Sequence, residues 1–278
     1  GEVDVSLPTQ LGKLLYRLTA IPLEAQKDFP LPFRPFLLPF LERFHAQVLR
    51  LFPAPPQEGG QYPATPGTNP RGLERLGVNL ILFLGQVVGC SEYRMDMLAQ
   101  HTTSASRSDK GAQESTSQAV QEAAFAVEQF FTPERVQELF HLTISALFPL
   151  TPADIEEWTS DSEQYVLDQE SITSKECPRA AGENLLLSLL EARQDLLCPV
   201  LLELLSDTEG QQAAAAQEAQ TLARGGASVA PEVLTWEARY LAAGVCAYAL
   251  QGRLDFTVWF MNCLAPALDA LVATARDP

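Results

Sequence analysis

Three features of the sequence predict an all-α fold, an α-solenoid of stacked antiparallel helix pairs. Large apolar residues recur at three- and four-residue spacing over most of the chain, which is the period of one helix face. No stretch alternates apolar and polar residues with the β-branched enrichment of a half-buried strand. The periodic segments come as neighbours joined by short turns and parted by longer polar connections, the pattern of helical hairpins stacked in a row. No repeat of fixed sequence period is visible, so the solenoid rests on architecture, and a globular helical bundle stays open beside it.

Residues 1–100 form a first block of helical repeats. Leu11, Leu14, Leu15 and Leu18 mark a helix, expected to end at the Ile21-Pro22 step because the residue before proline is pushed out of the α region. Phe36, Phe40, Phe44, Val48 and Leu51 mark a second. Residues 53–72 are dense in Pro and Gly and read as a loop. Leu73, Leu76, Leu80, Leu84, Val87 and Val88 carry a third helix toward Gln100, weakened locally by Gly85 and Gly89. Residues 101–118 are Ser, Thr, Gln, Lys, Asp and Gly for the most part, a polar linker with little to bury.

A second block of repeats spans 119–205. Ala119–Phe130 is helical in pattern, and Thr132-Pro133 caps the next helix, with Val136, Leu139, Phe140 and Leu147 on its apolar face. An acidic loop is expected over 150–170, followed by a helix over Leu185–Leu205 that Pro199 kinks or breaks. Residues 206–230 read as a flexible loop. Residues 231–278 close the chain as a helical hairpin turned at Gln251-Gly252-Arg253, with Pro266 bending the last helix. Trp259 and Phe260 are expected at least partly inside that hairpin, against residues such as Tyr248.

The candidate functional stretch runs from Leu150 to Tyr165 and carries five carboxylates, Asp154, Glu156, Glu157, Asp161 and Glu163, with no basic residue. Thr151-Pro152 is a helix cap and first helical position, and Asp154 is placed to return a hydrogen bond to the cap. Ile155 and Trp158 share one face and should pin the segment to the helix before it. Two readings follow: a solvated connection held down by Ile155, Trp158 and Tyr165, or a negative surface for a basic protein with those five carboxylates as the contact set. Trp158 is read as a packing anchor rather than a binding hot spot.

Other function classes find little support in the residues. The motifs of nucleophilic-serine, Walker-type, dinucleotide-binding and zinc-protease sites are absent, so no catalytic residue is assigned and the chain is not expected to be an enzyme. His45, His101 and His141 are scattered without ligand company, and the acidic stretch lacks the glycine and spacing of a calcium loop; no metal or cofactor is expected. His141 falls in a helical pattern and reads as a partly buried packing residue. A net charge of −16 disfavours direct nucleic-acid binding and suits a basic protein partner. Five cysteines far apart and odd in number point to reduced thiols. The apolar run Leu76–Cys90 is too short to span a bilayer, so no membrane insertion is expected. The chain opens on Gly1 rather than Met, so a processed, engineered or excised piece is expected.

Two ordered patches resemble a known family. Leu150-Thr151, Asp154-Ile155, Trp158, Asp161, Glu163 and Tyr165 resemble a leucine-threonine, acidic-leucine, tryptophan, aspartate-proline-glutamate-phenylalanine stretch of importin-β-type karyopherins. Downstream, Tyr240, Gly244, Ala247, Tyr248, Leu250, Asp255-Phe256, Trp259-Phe260, Leu264, Pro266 and Leu268 are similar to that family's hairpin. The likeness covers the chain from about Gln129 onward and points to the importin-eleven-like branch of nuclear transport receptors. Ser162 stands where the family carries proline, Tyr165 where it carries phenylalanine, and Ala267 where glutamate is usual. The resemblance implies a HEAT-repeat (armadillo-like helical) solenoid, here a central piece without the amino-terminal GTPase-gripping repeats. It implies protein cargo, a Ran-type small GTPase and nucleoporins as partners. It also implies traffic between cytoplasm and nucleus through the nuclear envelope, with import the expected direction. A helical-repeat scaffold without GTPase control is the alternative.

Overall fold

The computed structural model describes residues 7–53, 71–94, 110–207, 210–214, 216–217, 229 and 231–276. Ten helices are labelled here: α1 (Leu7–Asp28), α2 (Leu37–Leu51), α3 (Arg71–Val88), α4 (Lys110–Phe130), α5 (Pro133–Leu142), α6 (Pro152–Ser160), α7 (Ser162–Ser171), α8 (Pro178–Ser206), α9 (Pro231–Val245) and α10 (Ala265–Arg276). Shorter turns join several of them. Among the described residues there is no strand, only an isolated bridge between Gln251 and Leu254 across the turn where Gly252 takes φ 76°. The all-α class holds.

α1, α3 and α8 lie side by side, with α3 in the middle and α2 also packed on it. α3 is buried at every position from Val78 to Leu84, as a helix that is apolar nearly all round must be. Its one polar residue there, Asn79, donates to the Tyr16 carbonyl at 3.0 Å and to Thr19 Oγ1 at 3.2 Å. Phe33, Phe40 and Phe44 ring Phe83 with centroids 6.0, 6.2 and 4.9 Å away. The Arg135–Glu42 ion pair joins α2 to α5 at 2.8 Å, and the π turn Thr143–Leu147 that prolongs α5 packs against α9. His45 is buried at the α2–α5 contact, edge-on to Phe130 at 5.7 Å. Burial holds its pKa below the ordinary value, against the pull of Glu138 at 3.0 Å.

Several expectations are corrected. α1 does not stop at Ile21 but runs through Pro22 to Asp28. Pro22 and Leu23 are buried, and α1 packs along α3 over its length, so tertiary packing outweighs the missing hydrogen bond. α3 ends at Val88, short of Gln100, and passes through Gly89 into a 3-10 turn at Ser91–Tyr93. α4 begins at Lys110, inside the stretch read as a linker, because Ala119, Val120, Ala123 and Ala124 give it a buried face that carries the polar turns before it. The break in α8 falls at Arg193 (φ −141°, ψ 43°), not at Pro199. There Gln194 Nε2 donates to the Ala249 carbonyl at 3.3 Å and Arg253 meets Asp195 at 3.1 Å, so the second half of the helix turns toward the end of α9. His141 is exposed at the surface of α5, its ring 5.5 Å from that of Phe140, with enough of it covered that burial holds its pKa below the ordinary value.

In the closing segment, a helical turn Phe256–Trp259 and a π turn Phe260–Leu264 lead into α10. Pro266 is the second residue of α10, where a missing N–H costs no intrahelical bond. Trp259 is half-buried, but against Tyr240 at 5.9 Å and with its indole N–H on the Leu205 carbonyl at 3.2 Å. Tyr248 and Phe260 are 54% and 44% exposed. The segment is anchored to the end of α8 instead of lying back on Tyr248. Residues 54–70, 101–109 and 218–228, where loops or linkers were expected, lie outside the described residues; within 206–230, residues 210–214 are helical.

Candidate protein-binding surface

The stretch expected as one short capped acidic turn running into an acidic loop is a pair of short helices, α6 and α7, in a tight corner; the first was expected, the second was not. Local chemistry builds it. Thr151 Oγ1 accepts from the Asp154 amide at 3.2 Å while Asp154 Oδ2 accepts from the Thr151 amide at 2.7 Å, a complete capping box. Asp161 ends α6 and caps α7, its Oδ1 accepting from the Gln164 amide at 3.0 Å. Gln164 Nε2 then donates to Asp168 Oδ1 at 2.7 Å along α7. Caps and side-chain bonds of this kind let ten residues from Ser162 to Ser171 form a helix although few of them are apolar.

The five candidate carboxylates therefore divide. Asp154 and Asp161 spend an oxygen each on backbone amides and serve as caps. Glu156, Glu157 and Glu163 are exposed and face solvent. The anchoring also differs from expectation. Trp158 is 50% exposed and Ile155 only partly covered, whereas Tyr165 is buried to 6% exposure. Trp158 stands edge-on to Tyr165 at 5.4 Å, so the tryptophan covers the tyrosine and the tyrosine fixes the pair to the array. Burial pushes the Tyr165 hydroxyl above its ordinary pKa, with the Asp154 carboxylate adding to the effect and Arg179 opposing it.

Arg179 and Glu237 form an ion pair near Tyr165 that sequence reading missed. The Arg179 guanidinium donates to both carboxylate oxygens of Glu237 and to the Phe148 carbonyl. It thereby ties the start of α8 to α9 and to the end of α5. Burial works to lower the Arg179 pKa, but Glu237 more than compensates and holds it above the ordinary value. Neighbouring Glu183 is pushed up by burial, with Arg179 offsetting part of that. No local sequence signal marks the pair, since Arg179 and Glu237 lie 58 residues apart. Among the described residues no cluster of His, Cys, Asp and Glu could hold a metal, and no helix is long and apolar enough to cross a membrane.

What the surface offers chemically is negative charge on a capped, ordered unit. A carboxylate set fixed in this way attracts a cationic partner and can bond its side chains, and the half-exposed Trp158 beside it adds an aromatic face.

Comparison with known proteins finds importin-11 of Homo sapiens, 28% identical over 143 residues, which is 51% of this chain and 13% of that protein. Importin-11 of Mus musculus is 28% identical over 140 residues, 50% of this chain and 13% of its own length. The chain thus spans about an eighth of the curated relatives it matches. Among solved structures, Lph2, described as a novel bidirectional nuclear transport receptor in S. cerevisiae, superposes on 93% of this chain and 25% of its own with a TM-score of 0.56. At 14% identity that likeness establishes the fold alone. No protein-family model matches the chain. The chain is thus similar to importin-11 over about half of its residues, and it shares the fold of a helical array with Lph2.

Proposed function

We propose that this chain is part of a HEAT-repeat nuclear transport receptor that binds protein cargo under the control of a Ran-type small GTPase. It works in nucleocytoplasmic import, shuttling between cytoplasm and nucleus and meeting nucleoporins at the pore. Residues 1–100, 119–205 and 231–278 serve as successive parts of one solenoid. Its role is binding, not catalysis.

The observation that carries this reading is the similarity to importin-11 over half the chain. The α6–α7 surface supports it: Asp154, Glu156, Glu157, Asp161 and Glu163 form a negative contact set for a basic cargo or GTPase patch. The two capping aspartates order the set, and the three exposed glutamates meet the partner.

The test uses the intact receptor with Ran loaded with GTP or GDP and a lysine- and arginine-rich cargo. Nucleotide-dependent association is the expected result; association indifferent to nucleotide would leave a scaffold without GTPase control. Glu156→Gln, Glu157→Gln and Glu163→Gln together should lower the association rate about three- to tenfold at low salt and flatten its salt dependence. Asp154 and Asp161 are left in place so that the caps survive. Unchanged rates and salt slopes would reduce α6–α7 to a solvated corner.

A further inference from the structure

The leucines that mark α1 in the sequence are not the residues through which it meets α3. That contact runs through Thr19, Leu23 and Gln26: Thr19 Oγ1 accepts from Asn79 at 3.2 Å, and Gln86 Nε2 donates to the Leu23 carbonyl at 3.0 Å and to Gln26 Oε1. Leu11, Leu14, Leu18 and Ile21 stand on another edge of the helix and are 52%, 53%, 50% and 64% exposed. Their spacing of three, four and three residues is that of a coiled-coil seam, narrower than the stripe of a helix set on a core. Ala25, partly buried, continues the spacing by a further four. Single exposed apolar residues are ordinary on a protein surface. Four in register along one helix form a contact surface.

Charge gives that surface a direction. Lys13 and Arg17, both exposed, lie beside the seam in its amino-terminal half; Glu24, Lys27 and Asp28, also exposed, lie along its carboxy-terminal half. Among the described residues no ion pair engages Lys13, Arg17 or Asp28, and Glu24 meets Lys175 only at 3.9 Å. α1 thus carries three basic residues and two acidic ones on a chain of net charge −16. Repulsion between two copies of the chain is therefore least where their α1 helices meet.

Antiparallel alignment about a two-fold axis makes the pattern complementary to itself. With Leu18 of one copy over Ile21 of the other, Leu14 falls over Ala25 and Arg17 comes beside Glu24, and the axis repeats each contact. A parallel pair in register would bring Arg17 level with Arg17 and Glu24 level with Glu24. We propose that the outer edge of α1 binds a second copy of this chain as an antiparallel helix pair, with Arg17 of each copy paired to Glu24 of the other. Such an interface is isologous and closes at two copies. It uses none of the α6–α7 carboxylates and does not depend on the receptor reading.

The test is sedimentation velocity of the chain over a concentration series reaching about 100 µM. A monomer–dimer equilibrium is expected. Leu14→Glu with Leu18→Glu should weaken it at least about tenfold, and because both positions are exposed the urea midpoint of the chain should stay in place. Arg17→Glu and Glu24→Arg should each weaken it about three- to tenfold. The two together in one chain should restore it to within about twofold, since the exchanged charges again face each other across the axis. A chain that stays monomeric, one that grows into open-ended oligomers, a dimer indifferent to the leucine substitutions, or charge reversal without rescue would each overturn the proposal. The same series on the intact receptor decides between a second copy and a further repeat of the receptor's own chain as the occupant of the seam. A dimer that the leucine substitutions dissociate supports the copy. A receptor that is monomeric throughout overturns it, and a urea midpoint lowered by those substitutions would then assign the seam to a repeat.

Discussion

α3 and the α6–α7 corner are both helical and are held in place by opposite means. α3 is surrounded: α1, α2 and α8 pack on it, and every residue from Val78 to Leu84 is out of water. α6 and α7 pack chiefly on each other, bury one large side chain, Tyr165, and owe their shape to a capping box, an aspartate cap and side-chain bonds. Apolar burial scales with area and resists change everywhere in the core, whereas a capped surface helix depends on a few directional bonds. The array can therefore carry a charged, adjustable surface without spending core stability on it.

The contrast gives graded predictions. Phe83→Ala removes a ring with no exposure and three aromatic neighbours. It should cost about 3–5 kcal/mol, read as a lower urea midpoint for the whole chain. Tyr165→Ala should cost about 2 kcal/mol. Its effect should be local: amide exchange in α6 and α7 accelerates while α3 stays protected. Equal acceleration in both regions would show that the corner is part of the core after all.

Thr151→Ala deletes the capping-box hydroxyl and should cost about 1 kcal/mol, seen as faster exchange in the first turn of α6 alone. The smallest effect is expected at Glu183. Because burial raises its folded-state pKa above the unfolded value, the folded state binds more protons between the two, and stability falls as pH rises through that window. Glu183→Gln should remove this slope and stabilise the neutral-pH protein by less than about 0.5 kcal/mol. A pair of urea midpoints, one acidic and one neutral, for each protein would check it.

The fold class was legible because helices declare themselves by period and by caps: Thr132 and Thr151 sit where a threonine before proline belongs, and both cap as expected. Positions decided by distant partners were not legible. Pro22 looks like a stop until α3 covers it, and Arg193 gives no local warning of the break that contacts to Ala249 and Arg253 accompany. At the acidic surface the residues gave the charge and the cap at Thr151. They did not disclose that Asp161 starts a second helix, because hydrophobic period is weak in a helix held by bonds between polar groups. Ile155, Trp158 and Tyr165 all read as anchors in the sequence, but their shares of burial were not legible: Tyr165 is 6% exposed and Trp158 50%.

Gly85 and Gly89 were read as soft spots in a helix, and they set the spacing of the array. Because α3 meets α8 through glycine, the backbone of α8 comes within 3.3 Å of where a Cβ on Gly85 would stand. Stacked repeats add up their small relative rotations, so the angle at one contact is multiplied along the length of the whole superhelix. A single methyl group at Gly85 would press on the Leu185 backbone, which has no side-chain freedom with which to give way. The two helices would then have to splay, and what is a few tenths of an ångström at this contact would grow with distance from it, altering the curvature of the array.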